Sequence, residues 1–132
     1  MVNPRRVEAF LEMAHEDLAV ASALLATSTR LARYHVQQSA EKAVKALLEH
    51  RGLNPGREHR FESLAEMLPQ DDQWRGRIQN LDILSPAATS LRYPTSEGRI
   101  MAPPRRELVE REISTVARFI EDVRRAVSGP SA

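Results

Sequence analysis

The sequence contains no cysteine among its 132 residues. This absence excludes a disulfide-bonded scaffold, a thiol nucleophile, a cysteine-ligated zinc site and an iron–sulfur centre. Unbroken apolar runs are only a few residues long, far below the ~18–20 residues that cross a bilayer. The first residues lead directly into an amphipathic pattern that contains acidic side chains, which is unlike a signal peptide. We therefore expect a cytoplasmic protein.

The overall charge of the chain does not by itself indicate a binding partner. Lysine and arginine total 19 against 18 acidic residues, so the formal net charge is only +1. A broad basic field of the kind that attracts nucleic acid is therefore absent. Apolar residues make up 42% and charged residues 28%, which is typical of a globular chain. The length predicts a single domain over 1–132, with its core at about 4–127 and a flexible tail at 128–132.

Apolar residues recur at spacings of three and four along most of the chain, which predicts helices. The expected segments are 4–26, 30–51, 60–68, a fourth from about 71 to a break at Ser85-Pro86, and 104–127. No alternating run of strand formers interrupts them. The pattern therefore predicts an all-α, up-and-down bundle of four to five helices, three long and one or two short. Phe61 and Trp74 lie at core spacing and are expected to be buried, and His59 is expected to stabilise the start of the third helix.

The last helix carries a heptad-like apolar stripe. Spacings of four and three alternate through Val109, Ile113, Val116, Ile120, Val123 and Val127. Such a stripe is suited to packing along another helix. It provides the sequence argument for a homodimer.

The second helix has an unusual polar half. On a helical wheel this half carries Tyr34, His35, Gln38, Glu41, Lys42, Lys45 and Glu49. One interpretation is a solvated face supported by the pairs Glu41–Lys45 and Gln38–Lys42 at i,i+4 spacing. The other interpretation is a polar groove that binds an anionic group. Spacing alone does not decide between the two.

The run 34–48 resembles the signature of the HEPN family, the higher-eukaryote and prokaryote nucleotide-binding domain. It contains a histidine, a Gln-Gln pair, Ala-Glu-Lys-Ala and Lys-Ala-Leu-Leu. Three further pieces are similar to the family and follow in its order. They are Glu16-Asp17-Leu18, the glycine and histidine at Gly52 and His59, and Arg92-Tyr93-Pro94.

The resemblance implies a five-helix bundle, often a homodimer, whose members are frequently encoded beside a minimal nucleotidyltransferase. Many such pairs are toxin–antitoxin systems. The resemblance also implies binding of nucleotide or RNA phosphates without a cofactor or a metal. The residues that we expect to carry this binding are Tyr34, His35, Gln38, Glu41, Lys42, Lys45, Arg92 and Tyr93.

Two alternative functions remain at this stage. Some branches of the family are metal-independent ribonucleases with an arginine and a histidine that are separated by four to six intervening residues. Arg30 and His35 match that spacing, with arginine suited to clamping a phosphate and histidine to moving a proton. In those branches, however, the motif usually lies near the start of the last helix, and the fifth helix here has no histidine. The second alternative is a module that binds only other proteins.

Overall fold

The computed structural model describes residues 2–129, and in this part of the chain all regular structure is helical. The elements are α1 (Pro4–Leu24), α2 (Thr29–His50), α3 (Phe61–Ala65), α4 (Gln73–Asn80), a 3₁₀ segment (Leu81–Ala88) and α5 (Arg106–Ser128). The predicted all-α bundle with three long helices is confirmed. None of these helices is both long enough and apolar enough to span a membrane.

Local capping chemistry fixes the ends of the first two helices. The side chain of Asn3 accepts hydrogen bonds from the backbone amides of Arg5 and Arg6, and Pro4 occupies the first helical position. Ser28 caps α2 by accepting a hydrogen bond from the amide of Leu31. Gly52 follows α2 with φ of 76°, a left-handed conformation that favours glycine.

The region between α3 and α5 differs from the prediction. α3 ends at Ala65, and α4 ends at Asn80, where the chain tightens into the 3₁₀ segment. Pro86 lies inside this segment, where its ring disfavours an α-helix at Ser85 and its nitrogen cannot donate a hydrogen bond. α5 includes Ser128, which was predicted to lie in the tail. Residues 130–132 lie outside the described part.

α2 is the central helix of the bundle and packs against α1, α5 and the 3₁₀ segment. The short connection after α1 places the two helices antiparallel. Small and branched residues of α2 are completely buried there, among them Ala40, Ala43, Val44 and Leu47. Phe61 and Trp74 are buried in the same core, as predicted.

The apolar stripe of α5 also faces this core. Val109, Val116, Ile120 and Val123 are at most 1% exposed, and α5 packs against α2 and α1. The helix that this stripe requires is therefore supplied by the same chain. As a result the stripe no longer argues for a homodimer, which corrects the reasoning from the sequence.

Candidate functional site

On the side of α2 that faces α1, the polar side chains contact polar groups of α1. The carboxylate of Asp17 on α1 contacts Nδ1 of His35 at 3.0 Å and also pairs with Nζ of Lys42. Ser39 lies on the same side and donates a hydrogen bond of 2.7 Å to the carbonyl of Ala14. His35 and Lys42 are therefore both engaged by a carboxylate from α1, a helix that the wheel could not include.

A second group of contacts centres on Glu41, whose side chain is only 8% exposed. Its carboxylate accepts a hydrogen bond of 3.2 Å from the amide of Gln37 and lies 2.8 Å from Nδ1 of His59. The ammonium of Lys45 is 3.5 Å away and also donates to the carbonyl of Gly56 at 3.3 Å. Because both charged groups are buried together, they stabilise the approach of the 51–60 connection to α2.

These contacts correct three expectations. Glu41 and Lys45 form the predicted pair, but they are buried and do not lie on a solvated face. The predicted pair Gln38–Lys42 does not form, because Gln38 donates to the side-chain oxygen of Gln37 and Lys42 contacts Asp17. His59 contacts α2 instead of stabilising the start of α3.

The backbone at the start of α3 is bound by Glu58. Its carboxylate accepts hydrogen bonds from the backbone amides of His59 and Arg60. The amide of Arg60 is the main cause that lowers the pKa of Glu58 to about 2, and the Arg60 guanidinium adds to it. The carboxylate therefore stays charged well below neutral pH and holds the turn in which His59 and Arg60 project towards α2.

A cavity of about 400 Å³, lined mainly by polar and charged residues, opens beside Glu41, and we call it the helix-2 pocket. α2 provides Tyr34, Gln37, Gln38 and Glu41, the connection before α3 provides His59 and Arg60, and the opposite wall consists of Ser85, Ala88, Thr89 and Arg92. The three walls come from segments that are far apart in sequence. The pocket is therefore a product of the tertiary fold.

Two arginines flank this pocket. The guanidinium of Arg92 lies over the Tyr34 ring, 4.5 Å from its centroid, and 5.4 Å from the centroid of Tyr93. No carboxylate within residues 2–129 pairs with it. The Arg60 side chain is 78% exposed, and its only carboxylate contact among those residues is a 3.5 Å approach to Glu58. Both guanidinium groups are accessible to an anion that enters the pocket.

The structure brings together only part of the predicted set. Tyr34, Gln38, Glu41 and Arg92 line the helix-2 pocket, and Tyr93 lies beside it, 62% exposed. Three of the predicted site residues do not line this pocket, namely His35, Lys42 and Lys45. Sequence reasoning missed Arg60 as a site residue. The Glu-His-Arg run at 58–60 was the available signal, since it precedes a short helix and carries both a histidine and an arginine.

The pair Arg30 and His35 is not assembled. Five residues along an α-helix correspond to a rotation of about 140°, so the two side chains leave α2 in different directions. Arg30 lines a small cavity with Thr29 and Pro103, whereas His35 contacts Asp17. Within residues 2–129, no three or more histidine, aspartate or glutamate side chains cluster in a way that could hold a metal ion.

Comparisons with known proteins agree with this architecture. The HEPN domain model matches residues 7–126. The crystal structure of TT1696 from Thermus thermophilus is similar, with 25% identity, a TM-score of 0.73, and coverage of 90% of this chain and 96% of that one. The crystal structure of ST0689, described as an archaeal HEPN homologue, has 23% identity, a TM-score of 0.66, and coverage of 92% and 97%. No protein with a curated function matches the sequence. Since the family model covers nearly the whole chain, the protein belongs to the HEPN domain family.

Proposed function

We propose that the helix-2 pocket binds the phosphate groups of a nucleotide or of RNA. The observation that carries this proposal is the placement of Arg60 and Arg92 on two walls of one cavity. Within residues 2–129, neither guanidinium is held by a buried carboxylate. A free arginine fork matches the oxygens of a phosphate and binds them through paired, charge-assisted hydrogen bonds.

The remaining lining of the pocket suits the uncharged parts of such a ligand. The rings of Tyr34 and Tyr93 both lie near the Arg92 guanidinium, and they offer faces on which a base can stack. The amide of Gln38 is oriented by its 2.7 Å hydrogen bond to Gln37, and it retains a free donor and an acceptor. Glu41 acts indirectly, because its carboxylate is occupied by Gln37, Lys45 and His59.

Calorimetric titration tests the proposal with ATP, GTP and a short single-stranded RNA. We expect the unmodified protein to bind at least one of them. Arg92→Ala should weaken that binding about tenfold, the loss expected for one charge-assisted contact. Arg92→Lys keeps the charge but loses the planar fork, so its affinity should fall between the two. Binding by none of the ligands, or equal binding by all three proteins, contradicts the proposal.

We also propose that the chain associates with a nucleotidyltransferase protein and with a second copy of itself, as one half of a toxin–antitoxin pair. Family membership is the support for this step. Since the α5 stripe is buried, a self-interface has to use other apolar side chains. Met13 and Val20 on α1 and Leu31 on α2 are between 37% and 50% exposed. Sedimentation of the unmodified protein as a monomer at micromolar concentration would remove the homodimer.

The ribonuclease alternative gains no support from the positions of Arg30 and His35. It makes a separate prediction, namely that the purified protein cleaves RNA and that His35→Ala does not. Cleavage by both proteins would indicate a contaminating nuclease. Cleavage by neither leaves phosphate binding as the function of the pocket.

A further inference from the structure

A second cavity lies on the other side of the 3₁₀ segment, and the phosphate-binding proposal does not involve it. It has a volume of about 440 Å³ and runs between the 3₁₀ segment and α5, and we call it the α5 groove. Its walls are mainly apolar and include Leu81, Leu84, Val116 and Phe119. Cavities of roughly 300–1,000 Å³ with apolar walls and a few polar groups are typical of small-molecule sites.

A buried ion pair holds the walls of the α5 groove in place. Arg33 donates two hydrogen bonds to Glu112, at 2.9 and 2.8 Å, and a third of 3.1 Å to the carbonyl of Ile83. The two charged side chains are each 10% exposed. Through these bonds α2 connects the backbone of the 3₁₀ segment to α5. These bonds hold two of the walls of the groove in place.

The charges at the groove favour an anion. Its charged lining residues are Arg77, Arg111 and Glu112. Glu112 is already neutralised by Arg33, and Arg77 pairs with Asp122 at 2.9 Å. Arg111 is exposed and has no hydrogen-bond or ion-pair partner within residues 2–129. An entering carboxylate therefore meets one uncommitted guanidinium at the edge of an apolar cavity.

The size of the apolar surface favours a small molecule over a protein. A stable protein interface buries roughly 800 Å² on each partner. Among the described residues, Ile83 is the only strongly exposed large apolar side chain that lines the groove. The others lie on α1, on α2, near the amino terminus and in the connection before α5. The apolar area here is concave and local, which suits one ligand body.

We infer that the α5 groove binds a small amphiphilic anion, with an apolar chain or ring between Ile83 and Leu108 over the buried floor of the groove, and a carboxylate or sulfonate on Arg111. The apolar body gains by leaving water. The charged group gains a charge-assisted hydrogen bond from Arg111. This site is independent of the helix-2 pocket, so either can exist without the other.

Two fluorescent probes that differ by one charged group test the inference. 8-Anilinonaphthalene-1-sulfonate carries the anion, and N-phenyl-1-naphthylamine has the same rings without it. We expect the full chain to bind one molecule of the sulfonate, about tenfold more tightly than the neutral amine. Decanoate should displace both probes, and decanol should do so at about tenfold higher concentration.

Matched variants separate a site from general attraction. Arg111→Ala should lower sulfonate affinity to that of the neutral amine and leave the amine unaffected. Arg118→Ala removes an exposed arginine of the same helix that does not line the groove, so it should change neither affinity. Circular dichroism establishes that each variant is folded.

Three results would overturn the inference. The first is that neither probe binds the folded protein. The second is an equal loss in both arginine variants, which would mean that attraction to the surface as a whole accounts for binding. The third is a dimer, observed by sedimentation, that the sulfonate dissociates and that Ile83→Asp abolishes. In that case the groove is an interface between two copies of the chain.

Discussion

The two sides of α2 carry similar polar residues but differ in their neighbours. On the side facing α1, His35 and Lys42 contact the carboxylate of Asp17. On the side facing the helix-2 pocket, Arg60 and Arg92 approach α2 from other segments and no buried carboxylate of the described residues binds them. A polar side chain of this fold is structural where a neighbouring helix supplies the opposite charge. It is available to a ligand where none does.

The largest expected effect is at the most buried of the structural pairs. Glu112→Ala leaves the Arg33 guanidinium buried without its carboxylate, which costs about 3–5 kcal/mol of stability. Urea unfolding measures this loss. Glu110→Ala is the control, because Glu110 is half-exposed and pairs loosely with Arg106 at 3.8 Å, so its loss should stay below about 1 kcal/mol. Equal losses in the two variants would contradict the assignment of Glu112 to a structural role.

The next largest effect on stability is expected on the side of α2 that faces α1. Asp17→Ala removes the partner of two part-buried groups and should cost about 1.5–3 kcal/mol, the range for hydrogen bonds to charged groups. Nucleotide affinity should not change, because neither His35 nor Lys42 lines the helix-2 pocket. Glu16→Ala, at an exposed neighbour on α1, is the control and should be close to neutral. A loss of affinity in Asp17→Ala would mean that the side of α2 that faces α1 also contacts the ligand.

A smaller effect is expected on the side of α2 that faces the helix-2 pocket. It should change the affinity for RNA and leave the stability of the fold unchanged. Tyr93→Ala removes an exposed ring and should weaken RNA binding by about 1–2 kcal/mol, the contribution of one stacked base. Tyr93→Phe keeps the ring and should bind like the unmodified protein. Ile100→Ala, at another exposed position of the same connection, should leave binding unchanged. Fluorescence anisotropy with labelled RNA measures all three, and a large loss of stability in Tyr93→Ala would indicate a packing role.

The smallest expected effect is the pH dependence of the stability that the ion pair between Arg51 and Asp72 provides. This pair lies outside both sites. The side-chain hydrogen bond from Arg51 lowers the pKa of Asp72 below 3.8, and the backbone amide of Trp74 lowers it further against desolvation. A carboxyl group whose pKa is lower in the folded state than in the unfolded state stabilises the fold at pH values above its unfolded-state pKa. This stabilisation is lost as the pH falls through the folded-state pKa. Asp72→Asn keeps the cap of α4, so it should cost less than about 1 kcal/mol at about pH 7. The difference should disappear towards about pH 2, and urea unfolding at both pH values measures it.

Local chemistry explains why most of the fold was predictable. The ends of α1 and α2 are set by Asn3, Pro4, Ser28 and Gly52, all of which act on neighbouring backbone. The 3₁₀ segment was less predictable, because its apolar spacing resembles that of an α-helix and only Pro86 signals the change.

The candidate site was predictable only in part, for a different reason. A helical wheel identifies the polar residues of α2, but it contains no information about which of them meet a charge from another element. Asp17 lies 18 residues before His35, and Glu112 lies 79 residues after Arg33. Such pairs determine which cationic side chains remain available to a ligand. The α5 groove was missed because its walls belong to α4, the 3₁₀ segment and α5, and only the tertiary fold brings α5 next to the other two.

The most direct test of the central claim compares cations on the two sides of α2 in one experiment. A short single-stranded RNA is titrated by calorimetry into the unmodified protein, the Arg60→Ala/Arg92→Ala variant and Lys42→Ala. We expect at least about a tenfold loss of affinity for the arginine variant and a change below about twofold for Lys42→Ala. Equal losses in the two variants, or unchanged binding by the arginine variant, would contradict the central claim.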